Sequence, residues 1–247
     1  DLAWNGALQF YHPPALPGFS DYEAHITRAH DAIAYFSSVL GPYEFAKAGF
    51  VAAPHPFSME AASAVVLTDP RTAVHEIIHH WWGNAVQIES WGDFWISEGL
   101  TTYFTGFFDE VTSGVNTSCQ ITMRKLSVAP DQDPGLIYTL DPYCIGAAAI
   151  HDYRAWLAQS TGRDTRDQAA IDLFLAVFRR VYEERAFTAA TTREFAQSLA
   201  RGAWQELRAQ RSDLSRFAVD AATEEWLQRW FTDIPAAPAV RRRAARR

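Results

Sequence analysis

The stretch His75-Glu76-Ile77-Ile78-His79 constrains this chain more than any other. The pattern H-E-x-x-H sets two imidazoles four residues apart. On a helix that spacing puts them on one face, about 6 Å apart along the axis. Both rings can then reach a single divalent ion at about 2.0–2.1 Å. Glu76 sits about 100° round the helix, beside the pair rather than on it. From there a carboxylate can take a proton from water and pass it to a leaving group. His80, five positions after His75, points about 140° away and is excluded as a ligand. A catalytic zinc keeps three protein ligands and one open position. The helix must therefore pack against a second element that returns a third donor. Glu98, in Trp95-Ile96-Ser97-Glu98-Gly99-Leu100, is the candidate, with Glu60, Glu89, Asp93 and Glu110 as rivals on position alone. Taken alone, the pattern also suits an amphipathic helix whose two histidines have ordinary partners.

Around this helix the chain divides into a short strand layer and a long helical part. Ile26, Ile33, Phe36 and Leu40 recur at helical spacing after a capping Ser20, and Gly41-Pro42 stops that helix. Residues 45–53 and 61–67 read as two short strands divided by Pro54-His55-Pro56. Asp69 is positioned to cap the motif helix, with Pro70 at its first turn. Beyond residue 93, helical periodicity recurs near 97–112, 115–127, 144–160, 167–185, 191–201 and 213–232. The expected class is α+β, a small β-sheet followed by a mostly helical lobe.

Composition narrows the partners. The net charge is −7, and five arginines lie in the last seven positions. Without them 17 basic residues face 29 acidic ones, a net of −12. An acidic body excludes a broad nucleic-acid-binding face and suits a cationic ligand such as a peptide amino terminus. No apolar run approaches the ~18 residues of a membrane span. Nine Trp and sixteen Phe predict a large aromatic core and an aromatic-lined cleft. Cys119 and Cys144 are the two cysteines. They form no cysteine-rich framework and read as two buried thiols, with pairing to each other the open alternative.

Three segments go further. His79-His80-Trp81-Trp82-Gly83-Asn84, then Trp91-Gly92-Asp93-Phe94-Trp95-Ile96-Ser97-Glu98-Gly99, then Tyr103 closely resemble the gluzincin aminopeptidase family. Alanyl, puromycin-sensitive and leukotriene-hydrolysing enzymes belong to that family. The likeness implies a thermolysin-like catalytic domain with one zinc per chain, held by His75, His79 and Glu98, and Glu76 as general base. Ser58-Met59-Glu60-Ala61 resembles the family's Gly-x-Met-Glu-Asn strand, with Ala61 in the Asn position. By that likeness Glu60 binds the substrate's α-ammonium, with Met59 beside it. Tyr143-Cys144-Ile145-Gly146 resembles the Tyr-x-Lys-Gly segment, with Ile145 in place of Lys. Tyr143 there donates a hydrogen bond to the oxyanion.

The resemblance also implies a domain plan. Residues 13–234 are expected to form the peptidase domain. Residues 1–12 are expected to end an amino-terminal β-domain of a longer protein, and residues 235–247 to form a basic, disordered tail or linker. The activity it implies is removal of amino-terminal residues from peptides. The alternatives are an open-cleft endopeptidase, or a catalytically silent peptide-binding or scaffold relative.

Overall fold

The computed structural model describes residues 8–11, 18–19, 21–119, 124–131, 135 and 138–235. The basic tail lies almost wholly outside the described residues.

Strands β1 (Leu8–Tyr11), β2 (Ala48–Ala52) and β3 (Val65–Leu67) form a three-stranded parallel sheet in that order. Phe50 pairs with Phe10 on one side and Val65 on the other. Helix α1 (Tyr22–Val39) buries Ile26, Ala29, Ala32, Ile33 and Phe36. That is one stripe at helical spacing. Gly41, at φ +140°, turns the chain away at its end. A Cβ there would lie 2.7 Å from the Tyr182 ring, so glycine is needed for both backbone and space.

The strand segments are shorter than their apolar runs. Ala64 N–H donates to the Ala61 carbonyl at 3.0 Å, and Ser63 takes φ +67°. The chain therefore folds back between Met59 and Val66, which exchange two backbone hydrogen bonds at 2.8 and 2.9 Å. This places Glu60 at the edge of the sheet, just past that bridge.

Asp69 accepts the Arg71 N–H at 2.9 Å, with Pro70 opening a single 3₁₀ turn. Helix α2 (Ala73–Ile78) follows and carries the motif. A tight turn leads to β4 (Val86–Ile88) and then α3 (Trp95–Ser113). Gly114, at φ +82°, caps α3 with its N–H on the Glu110 carbonyl at 2.8 Å.

Residues 115–127, read as a helix from periodicity, are not helical where they are described. The Asn116 side chain accepts the Ser118 N–H at 2.9 Å, a local bond that competes with helical pairing. Leu126–Ser127 then forms strand β5, paired with β7 (Phe231–Thr232). The two cysteines are also corrected: Cys119 and Cys144 form a disulfide rather than two thiols. The folded-back loop after α3 carries Cys119 against the start of α4 (Leu140–Ser160).

Helices α5 (Gln168–Arg185), α6 (Thr192–Leu207) and α7 (Arg216–Trp230) complete the lobe, and β6 (Thr188–Ala190) pairs with β4. Thr191 and Glu194 form a reciprocal capping box at α6, and Ser215 caps α7. The core between these helices is aromatic. Phe36, Trp81, Trp82, Phe104, Phe174 and Phe178 are fully or almost fully buried and meet at ring distances of about 5–6 Å. Arg154 is buried among them and forks onto Glu110, 2.9 Å to each carboxylate oxygen.

Candidate metal centre and cleft

Helix α2 and the first turn of α3 bring three donors together. His75 Nε2 and His79 Nε2 lie 3.2 Å apart, and Glu98 Oε2 lies 3.2 Å from the first and 3.1 Å from the second. The three atoms form a nearly equilateral triangle. Tetrahedral ligands about 2.0–2.1 Å from one zinc stand roughly 3.3–3.4 Å from each other, so the donor set fits that ion. Among the described residues this is the one group of three such side chains able to share an ion.

The surroundings hold the donors in place. His79 Nδ1–H donates to the Trp82 carbonyl at 3.1 Å, which leaves Nε2 as the free lone pair. The Ser97 and Thr101 hydroxyls stand 3.2 and 3.1 Å from the same Nδ1. The turn after α2 needs glycine here: Gly83 has φ +127°, and a Cβ would lie 2.6 Å from Ser97 Oγ. Its neighbour Asn84 donates through Nδ2 to the Glu60 carbonyl at 2.7 Å, tying the sheet edge to the motif helix.

Charge in this cluster is strongly coupled. Burial opposes ionisation of Glu98, but the His79 charge and hydrogen bonds from both histidines hold its carboxyl well below the usual range. Burial alone would lower His79 as well, yet the Glu98 carboxylate outweighs it and pushes the imidazole up to about 9. The carboxylate therefore calls for one compensating positive charge, which a proton on His79 or a cation at the triangle can supply. Burial pushes Glu76 up to about 8, with His79 opposing and Glu60 adding to the rise. Burial, then the Glu98 charge, raises the Tyr143 phenol far above its ordinary value, which keeps it a protonated donor.

His80 behaves as its angular position requires. It turns from the triangle, its Nδ1 is 2.6 Å from the Tyr43 hydroxyl, and burial pushes it down to about 3. The rivals for the third donor are engaged elsewhere or lie apart from the triangle. Asp93 accepts the Thr192 N–H at 2.6 Å and so caps α6, Glu110 pairs with Arg154, and Glu89 is exposed. Glu60 stays in the cleft, outside the triangle.

Glu60, Met59, Glu76 and Tyr143 line one cleft of about 920 Å³ together with the three donors. The Tyr143 ring stacks on His75, centroids 6.3 Å apart. Four further aromatic residues line it: Phe57, Trp91, Phe94 and Tyr138. Aromatic content hinted at such a lining but gave no means of naming residues drawn from three separate segments. Ser97 and Thr101 also escaped the sequence reading. Their i, i+4 spacing on the helix that carries Glu98 was the available signal.

Similarity to known proteins agrees with this geometry. The Peptidase family M1 domain matches residues 50–218, about two thirds of the chain. Aminopeptidase B of Homo sapiens is 26% identical over 137 residues, which cover 47% of this chain and 20% of that protein. Aminopeptidase RNPEPL1 of Mus musculus is 24% identical over 193 residues, 59% of this chain and 27% of that one. The M1 zinc metallopeptidase of Deinococcus radiodurans superposes with a TM-score of 0.66 at 18% identity, over 95% of this chain and 51% of that chain. Legionella pneumophila aminopeptidase A gives 0.65 at 17% identity, over 83% and 26%. The likeness to the two solved structures is one of fold, α+β and mostly helical. The matched region spans between about a fifth and a half of the length of these relatives. With a family match of that extent over the segment that carries the donor triangle, the chain belongs to peptidase family M1.

Proposed function

We propose that this chain is the catalytic part of a zinc aminopeptidase. The observation that carries this reading is the convergence, in one cleft, of a zinc-sized donor triangle, a buried carboxylate beside it and a second carboxylate at the sheet edge. A zinc ion bound by His75, His79 and Glu98 would supply Lewis-acid polarisation of a carbonyl and acidify a water molecule.

The chain's own residues supply the rest. Glu76 takes a proton from the attacking water and delivers it to the departing amine. Tyr143 donates its phenolic O–H to the oxygen that gains charge as the carbonyl becomes tetrahedral, an interaction worth about 3–4 kcal/mol for a well-placed donor. Glu60 pairs with the substrate's α-ammonium, and Met59 packs beside the same end of the peptide. The Asn84 tether fixes the Glu60 backbone against the turn after α2. An ammonium held at the sheet edge sets the scissile bond one residue in, which limits cleavage to the amino terminus. The intact set of Glu76, both histidines and Glu98 supports catalysis over a silent scaffold.

Residues 13–234 act as the catalytic unit together with β1, which pairs with β2 in its sheet. That the relatives named above are much longer than the matched region supports its being one part of a longer protein.

Substitution Glu76→Gln tests the core of this reading. It keeps shape and removes the base, so hydrolysis of an aminoacyl amide should fall by about 10²–10⁴. Metal analysis should still find one zinc per chain. Unchanged turnover with zinc retained would refute the assignment.

A further inference from the structure

The disulfide stands one residue from the phenol of the cleft. Cys144 directly follows Tyr143 in the first turns of α4 and pairs with Cys119 on the loop after α3, their Cα atoms 5.1 Å apart. Neither the donor triangle nor the chemistry assigned above makes use of this bridge.

The start of α4 is held from two sides. The Thr139 side chain makes no capping hydrogen bond to the helix, so this turn lacks the local lock that fixes many helix starts. One side rests on α3: the Gly146 Cα and the Pro142 carbonyl oxygen come within 2.7 and 2.9 Å of the place a Cβ on Gly99 would take. Cys144 lies about 160° round α4 from both residues, on the opposite side. Further along that side Ala148 is half-buried and His151 is exposed, whereas Cys144, joined to the loop, is buried. Tyr143 stands between the two ties, about 100° round the helix from Pro142 and from Cys144.

The loop is in turn fixed to α3. Asn116 donates through Nδ2 to Glu110 Oε2 at 2.9 Å. Gly106 has no side chain, and the Ser118 nitrogen lies 2.2 Å from where its Cβ would stand. The bridge therefore joins the turn that carries Tyr143, through the loop, to the helix that carries Glu98.

We propose that Cys119 and Cys144 are positioning residues for the reaction: their bridge holds the Tyr143 hydroxyl where it donates to the substrate oxygen, and opening it slows turnover while zinc and peptide stay bound. The proposal rests on the peptidase reading above. A dithiol reductant opens the bridge reversibly. Its thiolate attacks the half-buried Cys119 sulfur, the S–S bond breaks, and Cys144 leaves as a thiolate that takes up a proton. The second thiol of the reductant then displaces Cys119 and closes the reductant's own disulfide, so two electrons and two protons pass to the chain.

The test compares the zinc-loaded chain oxidised and reduced, the dithiol removed under nitrogen and thiol and zinc content confirmed. On reduction kcat for an aminoacyl amide should fall about 10–10²-fold with KM within about twofold, and reoxidation should restore it. Tyr143→Phe protein should change by less than about twofold on reduction, because the bridge acts through a hydroxyl no longer there. Cys119→Ser should match the reduced parent in kcat and ignore the dithiol. Equal kcat in the two states overturns the proposal, and so does an equal fall in the Tyr143→Phe background. Loss of the helical circular-dichroism signal or of zinc on reduction marks the bridge as a general staple of the fold and overturns it too. An oxidised, zinc-loaded chain that cleaves no aminoacyl amide overturns the peptidase reading and the proposal with it.

Discussion

Substitution Gly146→Ala offers a sharp test of how the site is held. Helices α3 and α4 cross with Gly99 against Gly146. A Cβ on Gly146 would stand 2.8 Å from the Gly99 Cα and 3.3 Å from the Trp95 Cβ. Carbon atoms in good contact lie about 3.5–4.0 Å apart, so the helices must separate by roughly 0.7–1.2 Å. The nearest obstacle is backbone and cannot rotate aside. Glu98 lies one residue before Gly99, and Tyr143 three before Gly146. The same crossing therefore sets the spacing of the third donor and the phenol. Overpacking costs about 1–3 kcal/mol, and the gain in helix propensity returns about 1. Net stability should fall by no more than about 2 kcal/mol. A misplacement near 1 Å at the chemistry should cost on the order of 10² in kcat. Gly162→Ala is the matched comparison. Gly162 has φ +69° and nothing within 4 Å of an added Cβ, so its change costs about 1–2 kcal/mol of left-handed strain and leaves turnover alone. Urea denaturation gives the stabilities, and initial rates on an aminoacyl amide give kcat, both at confirmed zinc content. If folded Gly146→Ala protein turns over within twofold of the parent, the crossing does not position the site.

Three further outcomes are expected. Glu60→Ala should weaken binding of free-amine peptides by at least about tenfold while leaving amino-acetylated ones nearly unchanged, read as KM or as Kd in the Glu76→Gln background; equal losses exclude an amine anchor. Reducing the Cys119–Cys144 bridge, which closes 25 residues of sequence separation, should lower stability by about 3.5 kcal/mol in the chain-entropy account, visible as a lower midpoint with reductant and absent in a Cys119→Ser/Cys144→Ser protein. Glu110→Gln should leave the Arg154 guanidinium buried without its counter-charge and cost about 3–5 kcal/mol. Burial opposes ionisation of Glu110, but the Arg154 fork outweighs it and holds its carboxyl below the ordinary value. Its contribution is therefore present above the normal glutamate pKa and is lost as pH falls through the lowered folded value. The acid limb of a stability–pH curve should accordingly flatten in the variant.

The parts of this molecule that were legible in sequence are those built by local rules. Four-residue spacing on α2 pairs His75 with His79, and the cap at Asp69 with Pro70 announces the turn that starts it. The same angular rule removed His80, which the structure finds bonded to Tyr43. Glu98 is different. Nothing local distinguished it from Glu110 or Asp93, and only the extended likeness selected it. The structure adds the reason: Asp93 is occupied by the start of α6 and Glu110 by Arg154, so each rival already balances another group. Residues 115–127 misled because their apolar spacing is helical, while Asn116 satisfies the backbone another way and Gly114 has already closed α3. The disulfide was illegible because its two ends meet only once that loop folds back.

This division has a functional consequence. The donors stand on two rigid helices, locked by Ser97, Thr101 and the Gly99–Gly146 crossing, where a change of one methyl group is felt. Phe57, Trp91 and Tyr138 stand on connecting segments with half their surface in water. A ring there can be replaced without opening the core, at a cost within the ordinary range for a surface site. Metal affinity and peptide preference should therefore vary independently: substitutions in 57–60 or at Tyr138 should change which peptide binds while zinc content stays at one per chain. Substitutions at Ser97 or Thr101, which orient His79, should weaken zinc binding by about 10–100-fold without altering the order of preference among peptides. Zinc competition with a chelator, run beside peptide titrations, separates the two, and a substitution at Phe57 or Tyr138 that released the metal would show that they are a single unit.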